Sequence, residues 1–356
     1  MHPRVDSLPV PRPDFRTFLD AVGRRNRGRI PMIELAVDCS VAAALLDEPV
    51  PRPGGELSHA RAVAQSMVRL HHRMGYDVVK VSAPIPFDVP RLKAAATQDA
   101  RQWQNPHQGV VRTAADLERF RWPAPTDVDF GPLEAATAVL PDGMALIGFC
   151  GGVLEFTTDI LGLEHFMFAV YDDPDLVAAV LDGVGRTLLS VFETYGQMES
   201  VCALWLGDDL GSRNGTLVSP DWLKENVFPW YRRFVELAHR HGKPFLLHSC
   251  GNLEAVLPCL IHEIGIDAKH SFEDTILPVE QFLDRFGDSV ATLGGIDMNL
   301  LAQGPEDAIR ARTRRVLEHA APGGGYACGS GNSIPNYIPP AHYLAMVETV
   351  ADFNAP

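Results

Sequence analysis

The chain has 356 residues, 46 % of them hydrophobic, with 31 Lys plus Arg against 45 Asp plus Glu for a formal charge of −14. That length allows one large domain or two smaller ones, and the acidic balance opposes nonspecific attraction to nucleic acid or to an anionic membrane. The N-terminal "MHPRVDSLPVPRPDF" lacks the long apolar run of a signal peptide and no apolar run elsewhere is long enough to span a bilayer, so a cytoplasmic protein without nucleic-acid or membrane partners is expected.

In chain order, residues 1 to 14 read as an N-terminal extension and "PMIELA" (31 to 36) as the first buried strand. "DVVKVS" (77 to 82) follows after a helical pattern, "HARAVAQSMVRLHHRMG". From 84 to 132 the chain is polar, irregular and proline-bearing, and it is predicted to be an insertion over the mouth of the fold; Trp103, Phe120 and Trp122 favour burial there over a disordered linker. Strands "ALIGFC" (145 to 150) and "VCALWLG" (201 to 207) flank the helix "PDLVAAVLDGVGRTLLSVFETYG". The next helix, "SPDWLKENVFPWYRRFVELAHRHG", has Ser219 as cap, Pro220 in its first turn and Gly242 past its basic end, with a kink expected at Pro229. "PFLLHSC" (244 to 250), "IDAKHS" (266 to 271), "VATLGGI" (290 to 296) and "GGYACG" (324 to 329) complete the strands, with the helix "GPEDAIRARTRRVLEHA" before the last. Eight strands alternating with helices imply a parallel sheet, and one (β/α)8 TIM barrel over 1 to 356 fits better than an open sheet.

In such a barrel, active sites are built at the C-terminal ends of the strands. His248 and Cys250 end the fifth, two residues apart and so on one face, and Cys328 ends the eighth. A His and two cysteines form the ligand type of a catalytic zinc with an open fourth position. The spacing, His-x-Cys-x77-Cys, is too long for a zinc finger, so the site would be assembled by the fold. Ordinary core packing is the alternative, because Cys39, Cys150, Cys202 and Cys259 show how freely the chain uses inert cysteine. Further polar residues lie at strand ends: Glu34, Lys80, Asp208, Asp209, His270 and Asp297. Each alone reads as a helix cap or a loop charge; as a ring round one mouth they read as substrate-binding residues, or as groups that complete the metal shell or orient its histidine, Asp208 with Asp209 first and Glu34 second. Tyr337 and Asn332, beyond Cys328, are candidates to line the pocket.

The stretches "LLHSCGNLEAVLP", "GGIDMNLLAQGPEDAIRARTRRVLE" and "GGYACGSGNSIPNYIPPAHYLAMVETV", with "GFCGGVLEFTTDILGLEHFMFAVYDDPDLV" and "TAADLERFRWPAP", resemble the uroporphyrinogen decarboxylase superfamily, and specifically its zinc-dependent methylcobalamin:thiol methyltransferase branch. The resemblance implies a (β/α)8 barrel and a zinc site carried onto His248, Cys250 and Cys328. It also implies a methyltransferase that moves a methyl group between cobalamin, a co-substrate expected on a separate corrinoid protein, and a small thiol or a methylated donor. The decarboxylases' N-terminal Arg-Gln-Ala-Gly-Arg motif and Phe-Ser-Asp strand end are missing, where this chain reads "PMIELAVD" and "VVKVSAPI", so decarboxylation of uroporphyrinogen is not expected. A zinc hydrolase and a zinc- or corrinoid-binding protein without turnover are the other readings. No Asp-x-His-x-x-Gly corrinoid-ligand pattern is present in the chain.

Overall fold

A computed structural model describes residues 1–51, 57–89, 91–92, 103–104 and 109–355. Seven strands form one parallel sheet in chain order: β1 (Val78–Ser82), β2 (Ala145–Gly151), β3 (Val201–Gly207), β4 (Phe245–His248), β5 (Ala268–His270), β6 (Ala291–Leu293) and β7 (Tyr326–Ala327). The predicted first strand is reduced to bridges: Met32 pairs in parallel with Cys328, and Val37 with Ile334, so this segment extends the sheet beyond β7 without forming a regular ladder. Pro31 supplies only a carbonyl there, taking the Cys328 amide at 2.8 Å.

The strands are apolar on both faces, as parallel strands are when helices cover the outside. Alternation sorts their side chains into two sets. Ile33, Val78, Ile147, Trp205, Leu246, Ala268, Leu293 and Ala327, drawn from the seven strands and the Met32 segment, pack together as one inner cluster. Their neighbours Val79, Leu146, Leu204, Leu247, Tyr326 and Cys328 belong to the outer core with the helices. The sheet therefore curls until its inner faces meet. Helix α1 (Phe15–Val22) adds Phe18 and Val22 to the inner cluster. Residues 1–14 pack too: Val5 is buried and Arg4 bonds Glu348 at 2.7 Å and Glu306 at 2.9 Å.

The connecting helices include α2 (Leu57–Arg73), α3 (Val153–Leu161), α4 (Pro174–Gln197), α5 (Pro220–Asn226), α6 (Phe228–Arg240), α7 (Met298–Gln303), α8 (Glu306–Ala320) and α9 (Pro340–Phe353). The expected kink at Pro229 is a break: the helix ends at Asn226 and restarts at Phe228, with Pro229 in the first turn of α6 where its missing N–H costs nothing. Within the 84 to 132 segment, Phe120 and Trp122 lie edge to face, 4.8 Å between centroids, and pack against the outer core. Part of the expected cover over the mouth falls on residues outside those described, as does the side chain of Trp103.

Candidate metal centre

His248 has the parity of Leu246 on β4, so its ring projects from the inner face, and Cys250 follows on the same side just past the strand end. Asp209, two residues past β3, takes the Cys250 amide on its Oδ1 at 3.1 Å. The ligand atoms of Asp209, His248 and Cys250 all lie within 4.8 Å of one another, the one such group among the described residues. His248 Nε2 is 3.4 Å from Cys250 Sγ and 3.8 Å from Asp209 Oδ1. The sulfur also receives the Asn332 amide at 3.2 Å and the Ser271 hydroxyl at 3.5 Å. Ser271 reaches it from a left-handed backbone, φ 85°, a costly conformation for a residue other than glycine.

Burial governs the electrostatics. It lowers His248, against the pull of Asp209, so the imidazole is neutral and keeps a lone pair for a metal. It pushes the Cys250 thiol up to about 12, and the Asp209 charge pushes the same way. A soft sulfur, a neutral imidazole and a carboxylate at these separations suit zinc, whose binding would take the thiol proton. On the other side of His248, its Nδ1 meets His270 Nδ1 at 2.7 Å. His270 is fully buried, with its ring edge-on to Trp205 at 5.2 Å.

Cys328, expected as the third ligand, does not join this group. Ala327 occupies the inner cluster, so Cys328 points to the outer core, where its thiol lies beside the Tyr326 hydroxyl and within the field of Glu34. Glu34 follows Ile33 out of the inner cluster in the same way. Its carboxylate accepts the Ser330 amide at 2.9 Å and hydroxyl at 2.6 Å, and burial raises it to about 8. Asp208 also faces away from Asp209. It accepts the Leu154 and Glu155 amides at 3.0 and 2.9 Å and the Tyr231 hydroxyl at 2.7 Å, which makes it the cap of α3. Gly152 makes that possible, since a Cβ there would stand 1.9 Å from Asp208 Cγ. Asp297 caps α7 through the Asn299 and Leu300 amides, and Tyr337 is 65 % exposed. Glu34, Asp208, Asp297 and Tyr337 are thus structural or solvent-facing instead of forming the ring that their positions suggested.

Lys80 does lie on the inner face, with Nζ 4.4 Å from the centre of the Phe149 ring, and burial lowers it to about 8. Glu155, absent from the sequence reading, is raised to about 8 by burial and by the charges of Asp209 and Asp208. It stands four residues past β2, and that strand-end position was its one signal. Ser271 carries none, because nothing in "KHSFED" announces a left-handed turn.

The family model described as Uroporphyrinogen decarboxylase (URO-D) matches residues 58–353. The uroporphyrinogen decarboxylase of Anaeromyxobacter dehalogenans is 25 % identical over 312 residues, 82 % of this chain and 85 % of its own length. That of Streptomyces avermitilis is 28 % identical over 248 residues, 67 % of each chain. A methyltransferase from Methanosarcina mazei superposes with a TM-score of 0.70 at 17 % identity, over 95 % of this chain and 98 % of that one, which shows a shared fold. With a match that spans most of its length, this chain belongs to the uroporphyrinogen decarboxylase (URO-D) family.

Proposed function

We propose that the chain is a zinc-dependent methyltransferase, one barrel domain whose inner mouth holds the metal on His248, Cys250 and Asp209 and which moves a methyl group between a corrinoid and a small thiol or methylated donor. The observation that carries this reading is the convergence of a sulfur, an imidazole nitrogen and a carboxylate oxygen within 4.8 Å. One thiolate and one carboxylate balance a doubly charged ion, as two thiolates would. Zinc so bound supplies a mild Lewis acid that favours the thiolate form of an incoming thiol near neutral pH.

The protein's own groups do the rest. His248 offers a neutral nitrogen. Asn332 and Ser271 donate to the Cys250 sulfur, which draws its electron density away and keeps it a ligand instead of a competing methyl acceptor. The half-buried Lys80 ammonium makes no hydrogen bond or ion pair among the described residues, and its position over Phe149 suits the anionic end of a substrate. The corrinoid would act as co-substrate on a separate protein, the cofactor carrying the difficult bond chemistry and the chain supplying position and exclusion of water.

A second reading, zinc-assisted hydrolysis, draws on Glu155, a carboxyl held near neutrality beside Asp209 and able to serve as a base. Decarboxylation is the activity named for the curated relatives. One anaerobic experiment separates the three: the zinc-loaded protein is given methylcobalamin with a panel of thiols, then methoxylated or methylamine donors with reduced cobalamin, and separately uroporphyrinogen. Zinc-dependent methyl transfer is expected. Catalytic formation of coproporphyrinogen without methyl transfer would overturn the reading. So would cobalt-substituted protein whose spectrum follows the titration of a bound water and ignores every thiol and donor.

A further inference from the structure

His270 was expected to touch substrate, yet it is fully buried and touches His248. Two ring nitrogens 2.7 Å apart, Nδ1 to Nδ1, must share one proton: one donates and the other accepts. The direction decides whether His248 can hold a metal. If His270 donated, the neutral His248 ring would carry its proton on Nε2, the atom that faces Cys250 and Asp209, and that atom would have no lone pair to give. Asp209 favours this unproductive form, because its carboxylate, 3.8 Å from Nε2, is an acceptor.

The far side of His270 opposes it. His270 Nε2 makes no hydrogen bond of normal geometry, but it crowds the same glycine as the Ser330 carbonyl: a Cβ on Gly294 would stand 2.3 Å from Ser330 O and 3.0 Å from His270 Nε2. A carbonyl only accepts. The Ser330 backbone favours a protonated His270 ring, as an accepting carbonyl near Nε2 does, whereas a bare nitrogen there would bring lone pair toward lone pair. With Nε2 protonated, His270 Nδ1 can only accept, so His248 must donate from Nδ1 and keep its Nε2 lone pair turned to Cys250. Each group from the Ser330 carbonyl to the Cys250 thiol then points the same way.

We infer that His270 is a positioning residue that fixes the metal-ready tautomer of His248 by accepting its Nδ1–H, against the pull of Asp209. This rests on the zinc reading for its purpose but not for its test. Long-range ¹H–¹⁵N spectra of the metal-free protein should show His248 protonated at Nδ1. In His270→Leu the proton should move to Nε2, and zinc affinity, measured by competition with a chromophoric chelator, should fall about 10- to 100-fold. His270→Asn places an amide oxygen near the position of Nδ1; it should keep the tautomer and hold affinity within about threefold of the original. If His270→Leu does not fold, the wild-type tautomer and His270→Asn decide the matter. An Nε2–H tautomer in the wild-type protein would overturn the inference, as would unchanged tautomer and affinity in folded His270→Leu or a Leu-like loss in folded His270→Asn. Wild-type protein that binds no zinc yet shows the Nδ1–H tautomer, lost in His270→Leu, would sink the metal reading and leave the positioning role standing.

Discussion

The proton balance at Cys250 separates a metal centre from a buried pair in a core. Burial keeps the metal-free thiol protonated through neutral pH, raised to about 12, while His248 is already neutral. Zinc binding should therefore release about one proton, from Cys250 alone, and apparent affinity should rise about tenfold per pH unit between pH 6 and 8. Calorimetry in buffers of different ionisation enthalpy counts that proton; a count near zero would mean that the sulfur is not a ligand. At this scale the sequence was half legible. Residues at i and i+2 share a face whatever the strand's orientation, so His248 with Cys250 could be read directly. Which face a given residue takes could not be read, because a parallel strand apolar on both sides shows no alternation. "GGYACG" is such a strand, and its sequence does not show that Ala327 takes the inner face and Cys328 the outer one. Asp208 and Asp209 present the same problem in adjacent positions.

At the scale of elements, the strand ends are held by the carboxylates that sequence reading assigned to substrate. Asp208 ties β3 to the first turn of α3 and to Tyr231 on α6. Asp208→Ala would leave these buried donors unpaired and should cost roughly 2 to 4 kcal/mol in urea unfolding while zinc content stays unchanged. Loss of zinc with unchanged stability would make Asp208 the ligand and Asp209 the cap, the reverse of their assigned roles. Glu34 ties the Met32 segment to the loop that carries Asn332, through Ser330. Its carboxyl is raised from 4.5 to about 8 by burial. A raised folded-state value contributes stability that is fully present below the unfolded value and is lost as pH climbs through the folded one. Stability should therefore decline from about pH 4.5 to 8 by an amount that Glu34→Gln abolishes; parallel pH profiles of the two proteins would contradict this. Strand positions were legible because the apolar runs are short, rich in branched residues and bounded by turn residues, which favours strand over helix, and β3 is reproduced residue for residue. The first strand was not, since Pro31 and the sparse bridges leave it irregular.

At the scale of the whole molecule, the inward curl of one sheet brings the ends of β3, β4 and β5 and the loop past β7 to a single point. Family membership agrees with the sequence reading and the curled parallel sheet agrees with it in part, seven regular strands standing where eight were expected. Neither chooses between decarboxylation and methyl transfer, and the donor set on which the proposed methyl transfer rests differs from the expected pair of cysteines. In the proposed centre Asp209, His248 and Cys250 hold one zinc and Cys328 does not take part. Zinc per chain, measured on folded wild type, Asp209→Ala, Cys250→Ser and Cys328→Ser after identical dialysis, tests it most directly. We predict about one zinc in wild type and in Cys328→Ser, with strong loss in Cys250→Ser and Asp209→Ala. Full occupancy in Cys250→Ser, or loss in Cys328→Ser with Asp209→Ala unaffected, would overturn this ligand assignment.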